Sequence, residues 1–273
     1  MPNWVSNKVK FSGRGREILD KVITQLDRNN GTDSWEEELF DFEKIVPMPK
    51  ELHLTSGGNQ DSAIAYALSL KTDEEKQAIM EQLKNKDTKS IWGSYFDKFT
   101  RHYDKQEISK LKELAKQFKK DRKDNKQDAF EYIDYDGLGI KTLEDLGNRY
   151  IQNVLDYGFD TWYDWSCANW GTKWNSSNTY VVDDNNVEFD TAWSCPFEVL
   201  KALSKQYADI EIYVEYADED LGSNCGYFTL QNGEIIENVD MDGDLEFAME
   251  VKGYSEEEKE EIRNWNKGDD TDE

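Results

Sequence analysis

The densest run of groups able to do chemistry lies between Phe159 and Trp193. Trp162, Trp165, Asn169, Trp170, Lys173 and Trp174 crowd together, and Asp190 and Trp193 follow shortly after. Aromatic walls with a few polar groups are what a small-ligand pocket is made of, so these eight residues form a candidate pocket. The same residues would serve as a packing plug joining a helix to a sheet, because large aromatics are usually buried and Asn side chains cap turns. Sequence alone leaves both readings open.

Acid–base and nucleophilic chemistry find less support. The two histidines, His53 and His102, have no triad or metal partner at a recognisable spacing. Cys167, Cys195 and Cys225 are odd in number and lack CxxC spacing, which argues against a disulfide framework or a zinc site and for reduced core thiols. Asp240-Met241-Asp242-Gly243-Asp244-Leu245-Glu246 invites a calcium reading. Its glycine falls at the fourth position and Val251 stands at the twelfth, which fails the EF-hand spacing. Gly13-Arg14-Gly15-Arg16 matches neither a P-loop nor a dinucleotide fingerprint and reads as a turn. No catalytic residue, metal or cofactor is expected.

Charge is the second feature with functional content. The chain of 273 residues carries a formal net charge of −25, unevenly spread. From Lys84 to Lys126 there are fourteen Lys and Arg against seven Asp and Glu, a net +7; from Asp183 to the end there are six against 27, a net −21. DNA carries one charge per about 1.7 Å of duplex axis, and a protein presenting Asp183, Asp184, Glu211, Glu215, Asp218, Glu219 and Asp220 would compete for a basic groove. These seven residues are the candidate partner-binding face, and the partner they imply is a basic, nucleic-acid-binding protein. The whole-protein field opposes direct nucleic-acid binding except through residues 84–126.

The elements that must position these groups follow from periodicity. Trp4, Val9 and Phe11 lie in a β-prone segment ending at Ser12-Gly13. Ile18, Leu19, Val22, Ile23 and Leu26 make a helical stripe that Asn30-Gly31 stops. Leu39 to Val46 reads as a second, buried strand closed by Pro47 and Pro49. From about Gly57 to Gln127 the pattern is helical, with Ile108, Leu111, Leu114, Ala115 and Phe118 opposite a lysine face. A further helix spans Leu143 to about Tyr157 and ends at Gly158. Thr179–Val182 and Val187–Asp190 form a hairpin across Asp183-Asp184-Asn185-Asn186. Ser194 or Cys195 then caps a helix containing Phe197, Leu200 and Leu203. Ile210, Ile212, Val214 and Tyr216 alternate as a half-buried strand, and Asn232-Gly233 joins Tyr227–Leu230 to Ile235-Ile236. Ser255 and Glu258 open a short acidic helix.

Two strand-helix-strand halves interleave into one antiparallel sheet, giving an α+β chain with a ferredoxin-like split βαβ core and a helical, lysine-rich insertion. The expected segments are 1–55 for the first half, 56–142 for the insertion, 143–252 for the second half with an extra hairpin, and 253–273 for the acidic tail. No apolar run reaches the roughly 18 residues of a membrane span, and the start has no signal-peptide core, so a cytosolic location with no membrane partner is expected.

MPNWVSNKVKFSG, FDFEKIVPMPKEL, NWGTKWN and FDTAWSCPFEVLKALS occur in this order. They resemble the YubB-type, Api-like ferredoxin-like family of phage and plasmid proteins over Met1 to Leu52 and about Leu146 to Phe228. Val5 stands where that family usually has Cys, and Cys195-Pro196 where it often has paired prolines. The resemblance implies a mobile-element origin and brings no biochemical activity with it. Three function classes follow. The first is a protein-binding accessory factor, acting as an acidic mimic of DNA against a host or defence protein such as a CRISPR or restriction component. The second is a small-ligand binder or enzyme using the Trp-rich segment, and the third a nucleic-acid accessory protein acting through the lysine-rich insertion.

Overall fold

The computed structural model describes residues 2–29, 34–85, 95, 97, 99, 107–123 and 135–269. Asn30-Gly31, His102 and much of the basic stretch 84–126 lie outside them. The chain divides into two units: Met1–Pro47 with Ser166–Glu273, and Met48–Trp165.

The first unit is built on a six-stranded antiparallel sheet. Its strands are β1 (Trp4–Phe11), β4 (Ser177–Asp183), β5 (Asn186–Ala192), β6 (Glu211–Asp218), β7 (Cys225–Gln231) and β8 (Glu234–Asp240), in the order β4-β5-β1-β6-β7-β8. β1 is central, with Val9 opposite Val187 on one side and Val214 on the other. Alternation along β1 buries Val5, Asn7, Val9 and Phe11 on one face and leaves Trp4, Ser6, Lys8 and Lys10 on the other. Two helices precede and follow the β4–β5 hairpin: α1 (Gly15–Val22) and α7 (Phe197–Gln206). α7 seats Phe197 against Phe228, with ring centroids 5.3 Å apart. α8 (Leu245–Val251) covers the opposite face, packing Ala248 and Val251 on Ala217 and Cys225. α9 (Glu256–Asp269) follows, opened by the reciprocal Ser255–Glu258 capping bonds that the sequence announces.

The order β4-β5-β1-β6 is the ferredoxin-like split βαβ sheet, yet its second strand is not the one the sequence suggested. Leu39–Val46 is no buried strand. β2 (Ile23–Asn29) and β3 (Ser34–Phe40) pair as a separate two-stranded sheet, and Phe42–Lys44 is a 3-10 turn capped by Asp41. The core's second strand is β4, which pairs with the expected core strand β5 across the Asp183–Asn186 turn, while the extra hairpin β7–β8 extends the sheet beyond β6. The helical stripe also ends early, because Ile23 turns extended and the pattern from Ile23 to Leu26 continues as strand. Neither Ser194 nor Cys195 caps α7; Pro196 occupies that position without a side-chain bond, and Ser194 donates instead to the Gly171 carbonyl.

The second unit is helical, with α2 (Gln60–Ser69), α3 (Asp73–Asn85), α4 (Ile108–Lys123) and α5 (Leu143–Tyr157). α2 and α5 cross closely: a Cβ on Gly147 would lie 2.0 Å from the Ala63 carbonyl oxygen, so only glycine fits. Thr142 and Asp145 form a capping box at the start of α5, and Gly158 closes it in the left-handed region. α5, grouped by sequence with the second half of the sheet domain, thus packs in the helical unit, where Tyr150, Ile151 and Val154 join Leu54, Ile64 and Leu68 in one core. α6 (Trp162–Asn169) runs across the division between the units.

Candidate functional site

The seven carboxylates proposed as one face do not form one. Glu211 and Asp218 begin and end β6, about 23 Å apart at strand rise. Asp183 and Asp184 share the turn at the Glu211 end: Phe11 N–H donates to the Asn185 carbonyl and Ser12 N–H to that of Glu211. That end carries ion pairs. Arg16 pairs with Asp20 at 3.0 Å and approaches Asp184 at 3.6 Å, while Arg14 pairs with Glu17 and Asp209, each at 2.9 Å. The Arg14 guanidinium and the Lys21 ammonium hold the Glu17 carboxyl down at about 2. Hydrogen bonds from the Asn185 backbone and the Asn186 side chain lower that of Asp183. Gly15 begins α1 here, where any Cβ would strike the Asp184 carbonyl at 2.4 Å. Glu215 lies mid-strand and accepts from the Tyr213 hydroxyl.

Asp218 must be removed from the partner face altogether. It is 5% exposed. One of its carboxylate oxygens accepts from Asn3 Nδ2 and Asp220 N–H, and the other from Asn224 Nδ2. A carboxylate with three donors organises its own loop. Beyond it Glu219 and Asp220 are exposed, and a second loop adjoins theirs: Gly243 N–H donates to the Gly222 carbonyl, and Cys225 N–H to Asp242. Glu219, Asp220, Asp240, Asp242 and Asp244 therefore share this end of the sheet, and none makes an ion pair among the described residues. Asp240, Asp242 and Asp244, the carboxylates of the segment that fails the EF-hand spacing, accept from backbone N–H groups here. No group of three or more metal-ligating side chains is present among the described residues.

Trp162 and Trp165 fall in the helical unit. Within the sheet unit the other Trp-rich candidates fall in three places. Trp170 is 5% exposed, donates from Nε1 to the Val46 carbonyl, and meets Phe42 edge-on at 5.8 Å. Phe40, Phe42 and Phe189 complete that aromatic plug. Asn175 ties it down by accepting from Phe42 N–H and donating to Asp41, while Asn169 ends α6. Asp190 accepts from Ser6 Oγ and Asn178 Nδ2 on the β1–β5 surface.

Lys173, Trp174 and Trp193 do come together. The Lys173 ammonium lies 4.4 Å from the centroid of Trp174 and 4.8 Å from that of Trp193. Trp4, which the sequence left as a simple strand residue, adds a third indole 6.0 Å from Trp174. The turns carrying the cluster are stitched by Thr172 Oγ1 to the Ala192 carbonyl at 2.6 Å and Ser194 Oγ to the Gly171 carbonyl. Asn224 Nδ2 donates to both the Trp193 carbonyl and Asp218, joining the cluster to the unpaired carboxylates.

Two of the three cysteines, Cys195 and Cys225, are buried, and Cys167 is half-buried. Burial raises Cys195 well above the usual thiol range. Burial, then the Asp242, Asp240 and Asp244 carboxylates, pushes Cys225 up to about 11. In the helical unit, Asp160 accepts from Gln60 Nε2 and Tyr95 Oη, and Tyr95 also donates toward Asp164, a buried network that holds Tyr95 protonated. A concavity of about 340 Å³ lies beside Gln60, Phe118, Arg122 and Tyr150, where Arg122 is already matched by Asp136 and stacked on Tyr135.

Against known proteins, residues 169–266 match the ferredoxin-like domain in Api92-like protein. The matched span runs from the end of α6 through β4 to β8, and β1, from outside it, lies between β5 and β6 in the same sheet. The crystal structure of protein api92 from Yersinia pseudotuberculosis aligns with 88% of this chain and 98% of its own, at TM-score 0.37 and 13% identity. No curated protein matches. No helix among the described residues is long and apolar enough to cross a membrane.

Proposed function

We propose that this chain is a non-catalytic accessory protein of a phage or plasmid that binds a basic protein partner. The partner is a nucleic-acid-handling host or defence factor, such as a CRISPR or restriction component, whose phosphate-binding groove it occupies. The observation behind this reading is the set of five carboxylates, Glu219, Asp220, Asp240, Asp242 and Asp244, on two laced loops with no ion pair among the described residues. The opposite end of the same sheet carries similar acids, but there Asp209 and Asp184 meet Arg14 and Arg16. Unpaired charge fixed on a rigid edge steers a basic surface toward it, and the attraction is screened as salt rises.

A tagged chain incubated with bacterial lysate returns its partner for identification, after which Glu219→Lys with Asp220→Lys is compared with Glu211→Lys at the ion-paired end. The double reversal is expected to weaken binding at least tenfold, of order 1.4 kcal/mol, and to flatten its salt dependence, with Glu211→Lys, at the far end of β6, near neutral. Equal loss from both would place the contact elsewhere, and no loss from either, or binding indifferent to salt, overturns the reading.

A further inference from the structure

Trp193 is a bulky residue in an expensive backbone conformation. Its φ is +74°, in the left-handed region that disfavours side chains with a Cβ, and the structure holds it there from both sides. Its N–H donates to the Asn3 carbonyl and its own carbonyl accepts from Asn224. Strain of this kind is usually offset by burial of the side chain, yet the indole is 40% exposed, and that of Trp174 is 36% exposed. Glycine or asparagine would satisfy the same backbone without strain, so packing does not account for a tryptophan at this position.

What the two indoles do in the free protein is flank an ammonium. Lys173 Nζ lies within cation–π range of both rings, and the turns bearing them are cross-linked by the Thr172 and Ser194 bonds, so the spacing is preorganised. We propose that Trp174 and Trp193 form a two-walled cage for an organic cation, occupied by Lys173 in the free protein and by a lysine or arginine side chain of the partner in the complex. This deepens the basic-partner reading and rests on it for the identity of the occupant. Glu219 and Asp220 lie on the loop that Asn224 ties to Trp193, so a cation entering the cage arrives beside uncompensated carboxylates. Lys173 acts as a placeholder: it keeps the indoles from collapsing and lowers the cage's apparent affinity by the fraction of time it is seated.

The test needs no partner and so fails or succeeds apart from the lysate experiment. Nα-acetyl-lysinamide, Nα-acetyl-argininamide and the neutral Nα-acetyl-norleucinamide are titrated into the full chain, into Lys173→Ala and into Trp193→Gly, following indole fluorescence. Lys173→Ala is expected to bind the two cations about tenfold more tightly than the parent, with norleucinamide far weaker. Trp193→Gly abolishes binding while its melting temperature stays level or rises. Where Lys173→Ala does not fold, Lys173→Met, which keeps the apolar stem, takes its place. In the unmodified protein the Lys173 ε-methylene protons are expected upfield, under the ring currents of two indoles. Cation affinity equal in parent and Lys173 variants, norleucinamide binding as well as lysinamide, or unshifted ε-methylene protons overturns the proposal.

Discussion

Trp170 and Trp193 come from one aromatic-rich stretch, and the protein uses them in opposite ways. Trp170 is sealed among Phe42 and its neighbours with its Nε1 proton spent on the Val46 carbonyl, so it contributes burial, an aromatic edge contact and a buried hydrogen bond. Trp193 is strained, exposed and beside a cation, and adds little to the core. The contrast teaches that residue type fixes what a side chain is able to do, while backbone geometry and burial fix which of those things it does. The same holds for Asp218 and Asp220, two residues apart in one acidic run: the first is an internal anchor and the second an exposed charge.

Truncating Trp170 is the strongest way to test the first half of that contrast. Trp170→Ala is expected to cost about 3–5 kcal/mol, the usual range for a buried tryptophan, and to lower the melting temperature by roughly 10 °C. A calorimetric scan showing parental stability would place the indole outside the core. Asp218→Ala comes next, because it strands the amides of Asn3 and Asn224 and the N–H of Asp220; a loss of about 2 kcal/mol is expected, against less than about 0.5 for Asp220→Ala. Equal effects of the two in denaturant titrations would return Asp218 to the partner surface. The smallest expected effect is that of Trp193→Gly, where relief of left-handed strain, of order 1 kcal/mol, roughly offsets the lost partial burial. A drop in melting temperature comparable to that of Trp170→Ala would erase the distinction between the two tryptophans.

Much of the fold was legible because it rests on local signals. The alternation of β6, the Asn232-Gly233 turn, Gly158 at the end of α5 and the Ser255–Glu258 box are each read within a few residues. The identity of the core's second strand was not legible. Leu39–Val46 and Thr179–Val182 both satisfy a strand pattern, and β5 takes as its partner the segment one turn away rather than the one more than a hundred residues earlier. Periodicity identifies a strand but carries no information about which strand it pairs with.

For the candidate site, composition determined that the chain is acidic, rich in tryptophan and carries two histidines, since those are counts. Only the tertiary structure decided that Asp184 and Asp209 at one end of the sheet meet arginines while the acids at the other end make no ion pair among the described residues. It also decided that Lys173 sits between Trp174 and Trp193, nineteen positions apart, while the adjacent Trp170 faces inward. Charge compensation and cation–π contact both act over a few ångströms of space, and the distances that set them are created by the β5–β1–β6 pairing rather than by neighbourhood along the chain.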